Sequence, residues 1–152
     1  MIYSIFNHLE QMKLLLLLGQ KSLKIPMVGN FFSVGFEYLI RIFFASDISC
    51  KATIPRNVTF VHGHDIVIGS EVIIGNNCKI FNGVTLGNKD TESGLNSHPT
   101  IGDNCVISTG AKVMGNIRVG NNCIIGANSV LFIDVPDNSI AVGVPARILR
   151  KD

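Results

Sequence analysis

The sequence predicts a mainly β protein, a parallel β-helix preceded by a short helical segment. From Ile68 onward an aliphatic residue returns every six positions, and most of these anchors are followed by Gly. A period of six matches neither the 3.6-residue repeat of a helical face nor the alternation of a simple strand. It is typical of a short strand and a tight turn that stack coil on coil. The anchors are Ile68, Ile74, Ile80, Leu86, Ile101, Ile107, Val113, Val119, Ile125 and Leu131.

The composition suits such a solenoid and excludes one class of partner. The chain has 152 residues, enough for one domain with its own core. Apolar residues make up 47% and charged residues 16%, and the mean hydropathy is +0.38. We expect aliphatic side chains to fill the coils and copies of the chain to cover part of the outside. With a net charge of +2 and no basic run interleaved with aromatics, no nucleic-acid partner is indicated.

The four cysteines are predicted not to form a disulfide framework or a zinc site. No CxxC pair occurs, and Cys50 stands apart from the others. Cys78, Cys105 and Cys123 each follow an anchor by four positions, in a slot that elsewhere holds mostly small or medium side chains. Free Cys packs as a small hydrophobe, so we expect these three to point inward and no metal to bind. Reduced thiols are typical of a cytoplasmic protein.

Residues 1–46 lack the six-residue period and are predicted to form a helical segment ahead of a β-helix domain over residues 47–152. This segment is rich in Leu, Phe and Ile. We expect two helices, at about residues 3–23 and about residues 28–45, with a break at Lys24–Pro26.

The charges and length of this segment favour contact with protein over a membrane span. Glu37 and Arg41 are four apart, in the order that supports a helix by ion pairing. The leucine run from Leu14 to Leu18 is too short to span a bilayer, and no signal-peptide cleavage pattern follows it. We favour helices that pack on the solenoid, cap its exposed end or lie between subunits. Peripheral membrane contact through these helices is the alternative interpretation.

Two irregularities interrupt the period. Phe60 and Ile68 are two residues further apart than the period requires, and the stretch between them contains His62 and His64. The second irregularity is a polar insertion at residues 88–99. Projecting loops on a rigid scaffold are where binding and catalytic residues concentrate. We therefore expect the functional residues at these two places.

Four segments carry a resemblance to a known family. GVTLGN (83–88), HPTIGDN (98–104), GANSVL (126–131) and VGVPARIL (142–149) resemble the hexapeptide-repeat acyltransferases, and most closely their serine acetyltransferase-like branch. The similarity runs from about residue 47 to residue 150. It implies a left-handed parallel β-helix, a homotrimer, acetyl-CoA as the acyl donor, and transfer to a hydroxyl at the subunit interfaces.

The resemblance implies three catalytic residues. His62 is the predicted general base, because the branch places its catalytic His ahead of an IVIG-like strand, here residues 66–69. A neutral imidazole can accept a hydroxyl proton near pH 7. Asp47 matches the acidic residue that orients this His, with a cap between helix and solenoid as its alternative role. His98 matches a second active-site His that binds the acceptor or polarises the reacting groups. His64 becomes the base if the register of the irregular coil slips by two.

The resemblance also implies the contacts of acetyl-CoA. The family runs the pantetheine arm along a groove between two solenoids, where small residues let the arm lie close to the backbone. Thr109 and Ala127 occupy the matching positions, and Arg147 matches a basic residue near the nucleotide phosphates. A Thr-Lys pair that some relatives carry near those phosphates is replaced here by Phe132 and Ile133.

Two departures from the branch predict a different acceptor. Serine acetyltransferases usually carry Arg before the second His and Asp before the catalytic His, whereas this chain has Ser97 and Val61. An amino-acid zwitterion needs a cation for its carboxylate and an anion for its ammonium. We therefore expect O-acetylation of a sugar hydroxyl, in a bacterial capsule, exopolysaccharide or O-antigen precursor. A lipid-linked precursor would bring the protein to the inner face of the membrane.

Two alternatives to the sugar acceptor stay open. One is a serine O-acetyltransferase of cysteine biosynthesis that binds serine through other residues. The other is a non-catalytic trimeric β-helix scaffold, against which the set of His62, Asp47 and His98 argues.

Overall fold

The structure, a computed structural model, describes residues 8–89 and 97–150, in which two α-helices precede fourteen short strands. The helices are α1 (His8–Ser22) and α2 (Gly29–Phe44). The strands are β1 (Asp47–Ile48), β2 (Thr59–Val61), β3 (Val67–Ile68), β4 (Ile73–Ile74), β5 (Lys79–Phe81), β6 (Thr85–Gly87), β7 (Thr100–Ile101), β8 (Val106–Ile107), β9 (Lys112–Met114), β10 (Arg118–Val119), β11 (Ile124–Ile125), β12 (Val130–Leu131), β13 (Ser139–Gly143) and β14 (Ala146–Arg150).

The strands form three sheets, which are the three faces of a β-helix. The first face contains β1, β3, β6, β9 and β12, and the second contains β4, β7 and β10. The third face contains β2, β5, β8, β11 and β13, with β14 added at its end. The chain visits the faces in this order, coil after coil, and successive coils pair in parallel. The terminal pair of β13 and β14 is antiparallel. This topology confirms the predicted parallel β-helix.

Two slots of each hexad fill the inside of the solenoid, as the period predicts. All ten anchors from Ile68 to Leu131 are at most 1% exposed. Burying one such aliphatic side chain contributes about 1.5–3 kcal/mol. In the second slot Cys78, Cys105 and Cys123 are fully buried, which confirms that they are core residues. Each thiol also donates a hydrogen bond to a carbonyl oxygen of the next coil, at 3.1, 3.0 and 3.1 Å respectively.

The corner between the second and third faces is closed by asparagines. Asn77, Asn104 and Asn122 occupy the same place in successive coils, each with a φ of 57°. Asn tolerates this left-handed conformation better than other non-glycine residues do. The Nδ2 of Asn77 donates to the Oδ1 of Asn104 at 3.4 Å. This corner is regular from coil to coil and serves the fold.

Helices α1 and α2 pack at the first coil of the solenoid. The predicted break at Lys24–Pro26 is confirmed, since α1 ends at Ser22 and α2 begins beyond it. Residues 1–7, where the first helix was predicted to begin, lie outside the described residues. Met12 and Leu16 are 0% and 3% exposed and belong to the same apolar core as the coils. The helical segment is therefore part of the solenoid's own packing.

Glu37 and Arg41 connect α2 to the first strand, which corrects the prediction that they support the helix by pairing with each other. The Oε1 of Glu37 accepts hydrogen bonds from the backbone N–H of Cys50 at 2.7 Å and from the Oγ of Ser49 at 3.1 Å. The Nη2 of Arg41 lies 2.8 Å from the Oδ1 of Asp47. The physical reason is that β1 is an edge strand with unpaired backbone groups, and it begins within three residues of the end of α2.

Helix α2 also keeps an exposed apolar face. Phe31, Val34, Tyr38 and Phe43 are 80%, 61%, 61% and 64% exposed. Among the helices of residues 8–89 and 97–150, none is long and apolar enough for a membrane span.

Replacing Glu37 tests how strongly α2 is held to the solenoid. Glu37→Ala should lower the free energy of unfolding by about 1.5–3 kcal/mol, because charge-assisted hydrogen bonds to the edge strand are lost. Urea denaturation measures the difference. Glu10→Ala is the control, since Glu10 pairs with Lys13 at 3.7 Å and is 53% exposed, and such a surface pair contributes about 0–1 kcal/mol. Equal losses in both variants would contradict the role given to Glu37.

Candidate active site

The predicted base lies in a two-residue bulge at the corner between the third and first faces. The pairing of β2 with β5, continued forward, aligns His62 with Asn82 of the next coil. The pairing of β3 with β6, continued backward, aligns His64 with the same Asn82. Both histidines are exposed, and His62 has a φ of 56°, which is uncommon for a residue other than Gly. The extra residues thus present two imidazoles where the other coils present one side chain.

Helix α1 supports this bulge from inside. Gly63, between the two histidines, is buried, and a Cβ added there would lie 2.9 Å from both Leu9 Cδ2 and Met12 Cε. A larger residue at this position would push the helix or the bulge aside. Gly63 therefore allows the helix to pack directly on the backbone that carries the histidines.

Above His62, the same corner carries a column of side chains that we call the His62 edge. Strand pairing aligns His62 with Asn82, Asn82 with Thr109, and Thr109 with Ala127. The Oγ1 of Thr109 donates to the Oδ1 of Asn82 at 3.2 Å, which confirms the stacking. The predicted base and the two predicted pantetheine contacts therefore lie in one line along the solenoid.

Arg147 lies near the far end of the His62 edge. The pairing of β11 with β13 places Gly143 above Ala127, and Gly143 pairs in turn with Ala146 at the start of β14. Arg147 is the next residue of β14, and it is exposed. The residue predicted to contact the nucleotide phosphates is thus separated from His62 by the whole length of the edge.

Asp47 lies in the first coil, below the His62 end of this edge. It begins β1 on the first face, one coil below Val67. Its Oδ1 pairs with Arg41, and this partner raises the pKa of the Arg41 guanidinium. The structure thus places Asp47 in the coil next to the bulge and gives it a cation as its close partner.

His98 lies on a different corner, between the first and second faces, which we call the His98 edge. Its Nδ1 is 3.4 Å from the Oε2 of Glu71, and the His98 side chain is 13% exposed. The ring lies against Gly69, where an added Cβ would be 2.4 Å from the ring Nε2. Glu71 and His98 each come three residues before anchors that pair in register, Ile74 and Ile101, so they stack in adjacent coils.

Within one chain, the first face separates the two edges. Residues 65–69 cross this face, a path of about 13 Å at a strand rise of about 3.3 Å per residue. A general base must come within about 3 Å of the proton that it removes. A site that uses both His62 and His98 therefore requires the His62 edge of one copy and the His98 edge of another.

Cys50 and Cys105 suggest no competing thiolate centre. Burial, together with the charge of Glu37, raises the pKa of the Cys50 thiol to about 12. The neighbouring Cys78 thiol, together with burial, raises the pKa of the Cys105 thiol. Thiolate chemistry is disfavoured at both sites because the thiolate is the nucleophilic form. Over residues 8–89 and 97–150, no three His, Cys, Asp or Glu residues cluster as metal ligands would.

Sequence reasoning missed two residues of these edges. Asn82 follows its anchor, Ile80, by two positions, just as His62 follows Phe60. That shared position in the hexad was the available signal. Glu71 could have been found in the same way, from its place three residues before an anchor. The insertion at residues 88–99 was predicted to be functional, but residues 90–96 lie outside the described residues.

A substitution at Gly69 tests the placement of His98. Gly69→Ala should displace the His98 ring from Glu71, because the new Cβ would overlap the ring and a change of rotamer relieves the overlap. Imidazole resonances in NMR spectra should then change for His98 and not for His62, with the melting temperature nearly unaltered. Gly87→Ala is the control, since its nearest neighbours would be 3.6 Å away. An unchanged His98 resonance would contradict the described packing.

Two family models match the solenoid. Residues 98–132 match the bacterial transferase hexapeptide model (six repeats), and residues 65–89 match the hexapeptide repeat of succinyl-transferase. Together these segments contain all ten anchors and both ends of the insertion.

Similar proteins are serine acetyltransferases. The chain is 48% identical over 109 residues to the serine acetyltransferase of Bacillus pumilus, which covers 72% of this chain and 50% of that protein. The serine acetyltransferase of Neisseria gonorrhoeae in complex with serine superposes with a TM-score of 0.84 at 31% identity, covering 93% of this chain and 57% of that one. A serine acetyltransferase in complex with CoA gives a TM-score of 0.78 at 33% identity, covering 96% and 57%. The chain thus spans about half the length of the curated relatives it matches.

These relatives contradict the predicted sugar acceptor. That prediction depended on Ser97 and Val61, which lack the charges expected for binding an amino acid. The similarity to serine acetyltransferases extends over most of the chain, so two uncharged positions do not indicate a polysaccharide or lipid-linked precursor. The physical error was to assume that a zwitterion must be recognised from those two positions.

The period of six, the three parallel faces and the similarity to these structures identify a left-handed β-helix. The chain belongs to the hexapeptide-repeat acyltransferase family, in its serine acetyltransferase-like branch.

Proposed function

We propose that the protein is an acetyl-CoA-dependent serine O-acetyltransferase, with its sites formed between the subunits of a homotrimer. One observation carries this proposal: strand register aligns His62, Thr109 and Ala127 along a single edge. The thioester is carried on the extended pantetheine arm of acetyl-CoA. Such a substrate requires a base at the end of its groove and a backbone that the arm can approach closely. The similarity to serine acetyltransferases supports serine as the acceptor.

His62 acts as the general base in this proposal. Its neutral imidazole accepts the proton of the serine hydroxyl as the oxygen attacks the thioester carbonyl carbon. The tetrahedral intermediate then expels the CoA thiolate, which receives the proton from the imidazolium. Asp47 orients the imidazole through Oδ2 while Arg41 holds Oδ1, since a carboxylate can accept several hydrogen bonds.

Acetyl-CoA lies along the His62 edge. The side chains of Thr109 and Ala127 are small, so the pantetheine arm can approach the backbone, and both residues are exposed. Arg147 at the far end supplies a cation for the phosphates of the nucleotide. This direction brings the thioester to His62.

Two cations near the His62 edge can bind the serine carboxylate in place of the missing Arg at position 97. Arg41 lies at the coil below the bulge, beside Asp47. Lys112 lies on the first face above it, and its Nζ donates to the carbonyl oxygen of Gly83 at 2.5 Å. Gly83 aligns with Asp65, the last residue of the bulge region. Both cations thus lie on the side of the edge that faces the first sheet.

Serine turnover tests the reaction and the choice of base. The wild-type protein with acetyl-CoA and serine should release free CoA, followed with a thiol reagent. His62→Ala should lower kcat by about 10²–10⁴-fold, since the general base is lost. His64→Ala is the matched control, because it alters an exposed imidazole of the same bulge, and it should stay active. An inactive His64→Ala protein with an active His62→Ala protein would show that His64 is the base. A wild-type protein that releases no CoA on addition of serine would refute the acceptor.

Mixed trimers test the placement of the site between subunits. His62→Ala and His98→Ala homotrimers should both be inactive, yet co-expression of the two variants should restore activity. In randomly mixed trimers about a quarter of the interfaces combine an intact His62 edge with an intact His98 edge. Sedimentation should show three subunits per particle in every sample. Mixtures that remain inactive, although mass spectrometry shows that they contain both variants, would contradict an intersubunit site.

A further inference from the structure

Asn82 occupies the place on the His62 edge that no role above explains. It is aligned with His62 below and with Thr109 above. In the proposed function the pantetheine arm passes Thr109 on its way to His62, so the thioester carbonyl must lie between these two residues. Asn82 is the side chain of the His62 edge that lies between His62 and Thr109.

The hydrogen bonding of Asn82 leaves its donor group available. Its Oδ1 accepts from the Oγ1 of Thr109 at 3.2 Å, which fixes the rotation of the amide. The Nδ2 donates to no group among residues 8–89 and 97–150. Asn82 is half-buried, so holding it in this position costs little further side-chain entropy. A primary amide carries two N–H donors on its nitrogen.

We propose that the Nδ2 group of Asn82 is a catalytic hydrogen-bond donor to the thioester oxygen, an inference that rests on the proposed function. As the serine oxygen bonds to the carbonyl carbon, the C=O π pair moves onto the oxygen and creates an oxyanion. When the intermediate collapses, that pair re-forms C=O, the C–S bond breaks and the thiolate takes the proton that His62 had accepted. A fixed amide donor stabilises the oxyanion more than the neutral carbonyl, and this difference lowers the barrier.

Thr109 acquires a second role in this arrangement. Its hydroxyl holds Asn82 through Oδ1, so it acts on the oxyanion as a positioning residue. Strand register supplies the rest of the preorganisation, because Asn82 and Thr109 are fixed one coil apart by the ladder.

Two substitutions separate the donor from the rest of the side chain. Asn82→Asp keeps an oxygen for the Thr109 hydroxyl but loses both N–H donors, and Asn82→Leu loses them without adding a charge. Each should lower kcat by about 10²-fold or more. The KM for acetyl-CoA and the Kd of CoA, measured by calorimetry, should change little, since the oxyanion exists only after attack. Asn82→Gln retains the donors and should keep more activity than either. Asn57→Asp, on the asparagine corner, is the matched control and should be fully active.

The reaction is followed both with serine and, at high protein concentration, as slow hydrolysis of acetyl-CoA without an acceptor. Water attacks the same carbonyl carbon. The decrease in rate of the Asn82→Asp and Asn82→Leu proteins should therefore appear in both reactions. If serine fails to accelerate CoA release by the wild-type protein, the proposed acceptor fails, while the hydrolysis rates still decide the role of Asn82. Wild-type kcat in Asn82→Leu, or a loss that lies wholly in CoA affinity, would overturn the inference.

Discussion

The parallel ladder of hydrogen bonds between coils is the constraint on which every other feature depends. Each coil must place its aliphatic anchor directly above that of the coil below, because a shift of one residue would turn the whole hydrophobic set outward. The anchors are accordingly buried from Ile68 to Leu131. Once the anchors are in register, every other position of the hexad is in register too. The three corners of the solenoid thus become columns of aligned side chains, and one column carries the proposed chemistry.

The fold could be predicted from the sequence because a period of six leaves few other solutions, and Cys78, Cys105 and Cys123 followed from the same count. The site could be predicted only in part. Which edge each histidine occupies depends on the order of the three faces, which spacing alone does not fix. Glu37 and Arg41 were misread for a related reason. Their spacing describes a helix in isolation, whereas in the structure Glu37 accepts from the backbone N–H of Cys50 and Arg41 pairs with the carboxylate of Asp47. The acceptor was predicted wrongly because single positions were given more weight than the whole chain.

The two irregularities in the six-residue period have different effects on the structure. The bulge at His62–Asp65 adds residues without lengthening the ladder, so its side chains must project from the corner. The long insertion ends at His98, which is held by Gly69 and Glu71 of the coil below. The regular coils supply the rigid support from which both irregularities project. Because His62 and His98 lie on opposite edges of the first face, the proposed site is complete only where two copies meet.

The even stacking of the coils fixes the distances between side chains along the His62 edge. From His62 to Gly143 the column rises by four steps, about 19 Å at roughly 4.8 Å between strands. In the proposed function, this count of coils sets the distance from the base to the cation at Arg147. Duplicating or deleting one whole coil would preserve core, corners and faces, and such a protein could fold well. The distance from His62 to Arg147 would nevertheless be one coil too long or too short for a cofactor of fixed length. In the proposed function, the number of coils between His62 and Arg147 is therefore matched to the length of the cofactor.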